Sequence, residues 1–574
     1  MTNERTHYDV IIVGSGAGGA TIANELAATG KKILILERGE HLPRARQNWD
    51  AKSVFVERRY RTDEKWYDKT GKPFHPNTHY WVGGNTTFYG GALFRLRPGD
   101  FLEQQHHGGG VSPAWPIQYE DLAPYYLKAE KLWKVHGLRG ADPTEPKGMP
   151  DYFFPALTHD PTIANLEAHF RKLGWHPFPI PLGVDRDESD LVQSNCIRCL
   201  TCGGYPCLVR AKSDARTIAL DPILRQSNIT LLTGRRVFKL ETDPQGKSVR
   251  RVMAALRDGS WEDYTADIVV LAAGAVNSAA ILLASDNPSH RGGLANGSDQ
   301  VGRNYMFHTL SAVVSVTLDK AEADFPKTLA VNDFYWRDPA GGFDYPMGHI
   351  QLLEHMEGHV LEGQIKEEGV AGDLIPNFIA DAAADRMLAF LCISEDLPAP
   401  DNRVRLDGER IRLEYTPGDT EGHKRLVKKL DWAMDRFDDG GRAVTRHHFQ
   451  FTKLLPLYGV AHMCGTARFG SDPRTSVLDR NCKAWELDNL YVADASFFPS
   501  SSAVNPTLTI VANAMRVADH LKERLGVRDP SEVQIAREVE TAMAVMAIEP
   551  EISPAQVQEA GQKRRGFSIW PFGR

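Results

Sequence analysis

The chain opens with the hydrophobic pattern of a strand, a glycine loop, a helix and a second strand. Tyr8–Val13 is a short apolar run of the kind buried in a parallel sheet. Gly14-Ser15-Gly16-Ala17-Gly18-Gly19 follows, and the alanine-rich stretch Ala20–Thr29 reads as a helix stopped at Gly30. Lys32–Leu36 is a second strand, ending at Glu37. Comparable strands return only far downstream. One is Ile268–Ala272, followed by Gly274 and a helix over Ser278–Ala284; another is Leu490–Val492, just before Asp494. Strands alternating with helices imply a doubly wound α/β sheet, here assembled from separated pieces of chain.

The stretches between are of two kinds. Trp66–Phe101 and Gly137–Pro181 are loop-rich, with many Pro, Gly and aromatic residues. Leu310–Thr317 and Arg403–Tyr415 alternate with period two, which predicts an antiparallel sheet on the substrate side. Near the end, Ser531 and Gln534 form a capping box for a helix reaching about Ile548. The final KRRGFSIWPFGR interleaves Lys563, Arg564, Arg565 and Arg574 with Phe567, Trp570 and Phe572. That tail reads either as a solvated end or as a docking segment for a partner subunit or a membrane surface.

Composition narrows the function. Of 574 residues 42% are hydrophobic and 25% charged, an ordinary globular balance on a chain long enough for two domains. The net charge of −7 lacks the basic surplus of a nucleic-acid binder. No apolar run reaches the length of a membrane span, and MTNERTHYDV lacks the apolar core of a signal peptide. The expected location is therefore the cytoplasm, or export bound to a separately targeted partner. Four of the seven cysteines, Cys196, Cys199, Cys202 and Cys207, fall within twelve residues. Their CxxCxxC start resembles iron–sulfur ligation and could also hold zinc, while disulfides or buried thiols are the alternative.

The glycine loop carries the first chemistry. After a strand and before a helix, backbone N–H groups and a helix N-terminus face a pyrophosphate. Gly14 permits the tight turn, Gly16 lets the backbone approach phosphate, and Gly19 lets helix and strand pack closely. Glu37, 18 residues after Gly19, can accept hydrogen bonds from ribose hydroxyls. This predicts a dinucleotide without separating FAD from NAD.

Five further segments, in order, resemble the glucose–methanol–choline (GMC) family of FAD-dependent oxidoreductases. They are Val82–Gly91 (VGGNTTFYGG), Asp267–Ser285, Val301–His308 (VGRNYMFH), Glu395–Val404, and His462–Gly470 with Asn489–Thr509. The resemblance implies that Gly14, Gly16, Gly19 and Glu37 hold the ADP half. It places Gly84, Asn85 and Thr86 near the flavin ring, Val237 at the adenine, Ala273 beside the dinucleotide, and Asp494 and Ala495 at the pyrophosphate and ribityl chain. Pro506 and Thr507 open a helix whose positive end faces the flavin, where it would stabilise negative charge. His462 and Asn505, 43 residues apart, match the catalytic pair. An imidazole takes the hydroxyl proton, and an uncharged amide orients the substrate oxygen. A helix N-cap is the plainer role for Asn505, and His308 reads as structural. Relatives that bind FAD covalently carry histidine where this chain has Phe88, so non-covalent FAD is expected.

The resemblance implies a discontinuous Rossmann-like FAD-binding domain (1–100, 195–309 and 456–527). Residues 101–194 and 310–455 would supply an antiparallel-sheet substrate domain with cap segments, and 528–574 the C-terminal helix and tail. The implied reaction is oxidation of CH–OH to a carbonyl, on a sugar, sugar derivative or polyol. Electrons would leave to O₂, a quinone or a redox partner protein. Two rivals are lyase or decarboxylase chemistry on the same fold and a non-catalytic flavoprotein subunit.

Overall fold

In the computed structural model the first apolar run becomes the middle of a seven-stranded sheet. The structure describes residues 6–317, 320–355, 357–360, 377–437, 444–449 and 455–527. The helix and tail expected beyond residue 527 lie outside them. By its contacts the chain over Met1–Glu145 and Asp151–Arg528 forms one compact unit.

The strand order is Ile229–Leu232, Ile33–Leu36, His7–Val13, Trp261–Leu271, Val249–Ala255 and Arg236–Thr242. Leu490–Val492 also pairs with Trp261–Leu271. The first four strands and Leu490–Val492 run parallel, and the last two antiparallel. Register then places the site. Val13 pairs with Leu36 and with Leu271, and Leu271 pairs with Val492. Gly14, Glu37, Ala272 and Ala493 therefore leave the sheet side by side, at the carboxyl edge where open α/β sheets bind ligands. Helix Thr507–Arg524 packs against Ala17–Ala27 and Tyr119–Leu132. The fully buried Ala20, Ala23, Ala512 and Ala518 provide small side chains on these helices.

A second sheet of six strands is antiparallel throughout: Val444–Phe449, Thr309–Thr317, Met387–Ser394, His349–Leu352, Leu329–Val331 and Phe178–Pro179. Its buried cluster includes Val313, Leu388 and Phe390 together with Leu426, Leu430 and Met434 of helix Glu421–Met434. One expectation needs correction. Arg403–Asp407 and Arg410–Glu414 pair antiparallel as expected, but this hairpin joins Trp66–Asp68 and Pro73–Phe74 in a separate four-stranded sheet. Alternation shows that one face is buried, not which partner buries it. Among the described residues no helix is long and apolar enough to cross a membrane.

Candidate active site

A cavity of about 900 Å³ runs along the carboxyl edge of the large sheet. The first glycine loop forms its floor, and its four glycines have different neighbours. Gly14 has φ +101°, and a Cβ there would sit 2.4 Å from the Ala272 carbonyl oxygen. A Cβ on Gly18 would lie 1.7 Å from Ala493 O, and one on Gly19 would lie 2.1 Å from Gly14 O. These three positions are filled by the protein itself. Gly16 is different: a Cβ there would meet nothing within 4 Å, and the residue lines the cavity. That open space over the start of helix Ala17–Ala27 suits a phosphate. Gly19 does not line the cavity; it is packed between helix and strand, where a Cβ would also lie 3.0 Å from Ile12 and 3.1 Å from Ala272.

The neighbouring positions close around this floor. Glu37 is buried and lines the cavity, with Oε2 accepting from Ser15 N at 3.0 Å and Oε1 from Gly39 N at 2.8 Å. Ser15 Oγ also accepts from Gly83 N at 3.1 Å, which ties the first glycine loop to the second. Gly84 adopts φ +58° against Gly16. Asn85 Oδ1 accepts from His79 N at 2.8 Å, and Thr86 Oγ1 donates to Gly83 O at 2.6 Å. Those two side chains hold the loop. Val237 lines the cavity where the Arg236–Thr242 strand slips register between Val237 and Lys239. Such a bulge re-aims backbone away from its ladder.

Ala273 and Ala495 line the cavity beside Asp494. The buried Asp494 carboxylate accepts from Gly274 N and Ser496 N, each at 2.9 Å, and from the hydroxyls of Ser278 and Ser496. Burial raises its pKa.

His462 and Asn505 line this same cavity, as do Pro506 and Thr507. Helix Thr507–Arg524 begins as expected. Asn505 does not cap it: Oδ1 is buried and has no hydrogen-bond partner among the described residues. An unpaired buried amide oxygen is costly unless a ligand satisfies it. Burial, with a smaller contribution from His308, pushes the His462 pKa down to about 3. The imidazole is thus neutral, a proton acceptor, at any ordinary pH. His308, read from sequence as structural, lies against it with Nδ1 2.9 Å from His462 Nδ1.

The metal reading of the cysteines is not supported. Among the described residues no group of three or more His, Cys, Asp or Glu stands where it could hold a metal ion. All seven cysteines are free thiols. Within the cluster, Cys207 Sγ accepts from Ala211 N at 3.3 Å, Cys199 pairs with Thr201, and Cys202 Sγ accepts from Lys327 Nζ at 2.8 Å. These three thiols each have a local partner, and Cys196 is buried, its thiol pushed up to about 11 by burial. Sequence spacing suited a cluster, but the side chains do not form a ligand set.

Three contributors escaped the sequence reading. Gly18 carries the tightest approach in the loop, and Ser15 joins the two glycine loops. The third, His79, lines the cavity and stacks on Phe88 with ring centroids 3.9 Å apart. Its pKa is pushed down to about 4 by burial. The adjacent glycines pointed to Gly18, but nothing in the sequence marked His79 or the Ser15 bridge.

Comparison with known proteins agrees with this geometry. Residues 180–310 and 398–514 match the GMC oxidoreductase family, and residues 12–57 match an NAD(P)-binding Rossmann-like domain. The chain is 32% identical to 6'''-hydroxyparomomycin C oxidase of Streptomyces lividus, over 90% of this chain and 92% of that one. It is 28% identical to 2-methyl-1,2-propanediol dehydrogenase of Mycolicibacterium austroafricanum, over 91% and 97%. The fold is also that of pyridoxine 4-oxidase from Mesorbium loti (TM-score 0.63, 20% identity, covering 90% of this chain and 99% of that one). The chain belongs to the GMC oxidoreductases, and it is an FAD-dependent enzyme that oxidises a CH–OH group to a carbonyl.

Proposed function

We propose that the enzyme oxidises a hydroxyl-bearing carbon of a sugar, sugar derivative or small polyol, with FAD held non-covalently. One observation carries the reading. A neutral histidine and an unpartnered amide oxygen share a cavity with a nucleotide-type glycine loop. The residues present fit FAD: Gly16 leaves room at a helix start, Glu37 stands at the ribose position, and Val237 offers bulged backbone. When bound, FAD supplies the hydride acceptor.

The protein's own groups do the rest. His462 accepts the hydroxyl proton, and Asn505 holds the substrate oxygen. Lys327, Gln351 and Glu354 line the same cavity and give a hydroxylated substrate polar partners. The substrates named for the two relatives, 6'''-hydroxyparomomycin C and 2-methyl-1,2-propanediol, favour this class. Phe88 at the position of covalent attachment supports non-covalent FAD.

The test is an anaerobic screen of sugars, sugar derivatives and diols for bleaching of the flavin absorbance, with His462→Gln beside wild type. Bleaching slowed about 10²- to 10⁴-fold in the variant is expected. No bleaching by any alcohol, with turnover of a cyanohydrin or a fatty acid, would replace this reading with lyase or decarboxylase chemistry.

A further inference from the structure

The hydrogen bonds behind His462 determine which of its ring nitrogens carries the proton. The Ser501 carbonyl can only accept, so His308 Nε2, 3.0 Å away, donates to it. His308 is buried and neutral, its pKa pushed down to about 4 by burial. Its Nδ1 therefore carries a lone pair. That atom lies 2.9 Å from His462 Nδ1, in an edge-on arrangement with the ring planes at 86°. The contact is a hydrogen bond only if His462 Nδ1 bears the hydrogen. A neutral His462 then has its lone pair on Nε2.

We propose that His308 is a positioning residue, which locks His462 in the Nδ1–H tautomer and leaves Nε2 as the acceptor of the substrate proton. The inference rests on His462 being the base. When the hydroxyl proton reaches Nε2, the Nδ1 proton stays shared with the His308 lone pair, so the pair gains the one proton the substrate loses and its positive charge is spread over two rings. Hydrogen bonds around Asp396 hold the lock. Phe307 N, next to His308, donates to Asp396 Oδ2 at 3.1 Å. Ser501 Oγ donates to Asp396 O at 2.9 Å and accepts from Asp396 N at 3.0 Å. The charged group acting on His308 is Glu395, whose carboxylate is held by Ser112 Oγ, His106 Nε2 and Ser502 N. A second-position hydrogen bond of this kind selects a histidine tautomer in general.

The experiment is ¹⁵N NMR of histidine-labelled holoenzyme at pH 7, with His462 assigned by its loss in His462→Gln. Wild type is expected to show a protonated Nδ1 and a bare Nε2 at His462. His308→Leu should convert this to a mixture of tautomers. His308→Asn, whose amide oxygen can stand at the Nδ1 position, should restore it. In anaerobic flavin reduction by the alcohol that bleaches wild type fastest, His308→Leu should be slowed about 100-fold, with half-saturation within about threefold, and His308→Asn should recover most of the rate. A wild-type His462 carrying hydrogen on Nε2, or a tautomer unchanged by His308→Leu, overturns the proposal. If His308→Leu fails to fold, wild type and His308→Asn still decide it. Full activity in His308→Leu with none in His462→Gln defeats this inference alone. Full activity in His462→Gln removes the base reading, and the catalytic role of the lock with it.

Discussion

Gly16→Ala separates the two roles that a glycine loop can have, protein packing and ligand accommodation. Gly16 has φ −72° and ψ −167°, a conformation any residue adopts, and a Cβ there would meet nothing within 4 Å. The substitution therefore adds no strain to the empty protein. Its unfolding free energy without FAD should stay within about 0.5 kcal/mol of wild type, as for a change away from packed features. With a dinucleotide in place, the methyl occupies space the pyrophosphate needs. Forcing an extra methylene-sized group into a filled site costs about 1–3 kcal/mol, equivalent to a rise in FAD Kd of about 5- to 150-fold. Gly18→Ala is the control. Its Cβ would lie 1.7 Å from Ala493 O, so the helix and the strand end must part, and the apoprotein itself should lose stability. Isothermal titration of apoprotein with FAD, with urea unfolding alongside, measures both. A Gly16→Ala protein that binds FAD as wild type does would refute the assignment of that space to the phosphates.

Other expectations follow from buried charge, thiols and cofactor attachment. His79, His308, His349, His423 and His462 are held neutral by burial, at about 3 to 4 against an ordinary 6.5. The unfolded chain thus binds protons below pH 6.5 that the folded chain does not, so stability is full above that pH and is lost as pH falls toward 4. Asp100 and Asp396, pushed up to about 7 by burial, act in the opposite sense over this window. Between these seven groups a surplus of roughly three protons remains on the unfolded chain, on the order of 4 kcal/mol per pH unit at the steepest; equal urea midpoints at pH 7 and pH 5 would contradict it. Glu130 is buried and accepts from Arg95 Nε at 2.6 Å and Arg139 Nη2 at 2.9 Å. Glu130→Ala should lower stability by about 3–5 kcal/mol, because it strips the carboxylate from two buried guanidinium groups; chemical denaturation measures this. Cys199→Ser should leave FAD content and activity within about twofold; a loss of both together with loss of bound iron would restore the cluster. Acid precipitation should release all the yellow colour into the supernatant, and flavin remaining with the pellet would show a covalent link.

The readable part of the site was the part carried by local sequence. Gly14 to Glu37 is a loop–helix–strand stretch whose geometry each segment dictates for itself, so its conformation could be read before the fold was known. The same holds for Thr507, since Asn-Pro-Thr starts a helix on local grounds. What could not be read were facts about partners. The hairpin over Arg403–Glu414 showed its alternation but not that Trp66–Asp68 would pair with it. The cysteines showed their spacing but not their χ angles, and metal ligation depends on where the sulfurs point. His308 lies 154 residues from His462, and only the tertiary pairing brings the two rings together. Asn505 looked like a cap because Asn caps helices; that its oxygen is buried without a partner is visible only once its surroundings exist.

That tertiary pairing also explains how a histidine some 450 residues from the nucleotide loop stands over the same cavity. Met306 and Cys464 exchange backbone hydrogen bonds, Met306 N to Cys464 O at 3.0 Å and Cys464 N to Met306 O at 2.8 Å. His308 and His462 each lie two residues from that bridge, so this isolated antiparallel bridge also sets the two rings side by side. Gly465 N donates to Ala495 O at 3.1 Å, which fixes the histidine segment to the turn that follows Leu490–Val492. Asp494, in that turn, holds Gly274 N, and the strand before it pairs with the strand that pairs with His7–Val13. The path from Gly14 to His462 is thus a few backbone hydrogen bonds long, although the sequence between them is most of the protein. A substitution that breaks the Met306–Cys464 bridge should therefore displace base and positioning histidine together, and leave the nucleotide end of the cavity in place.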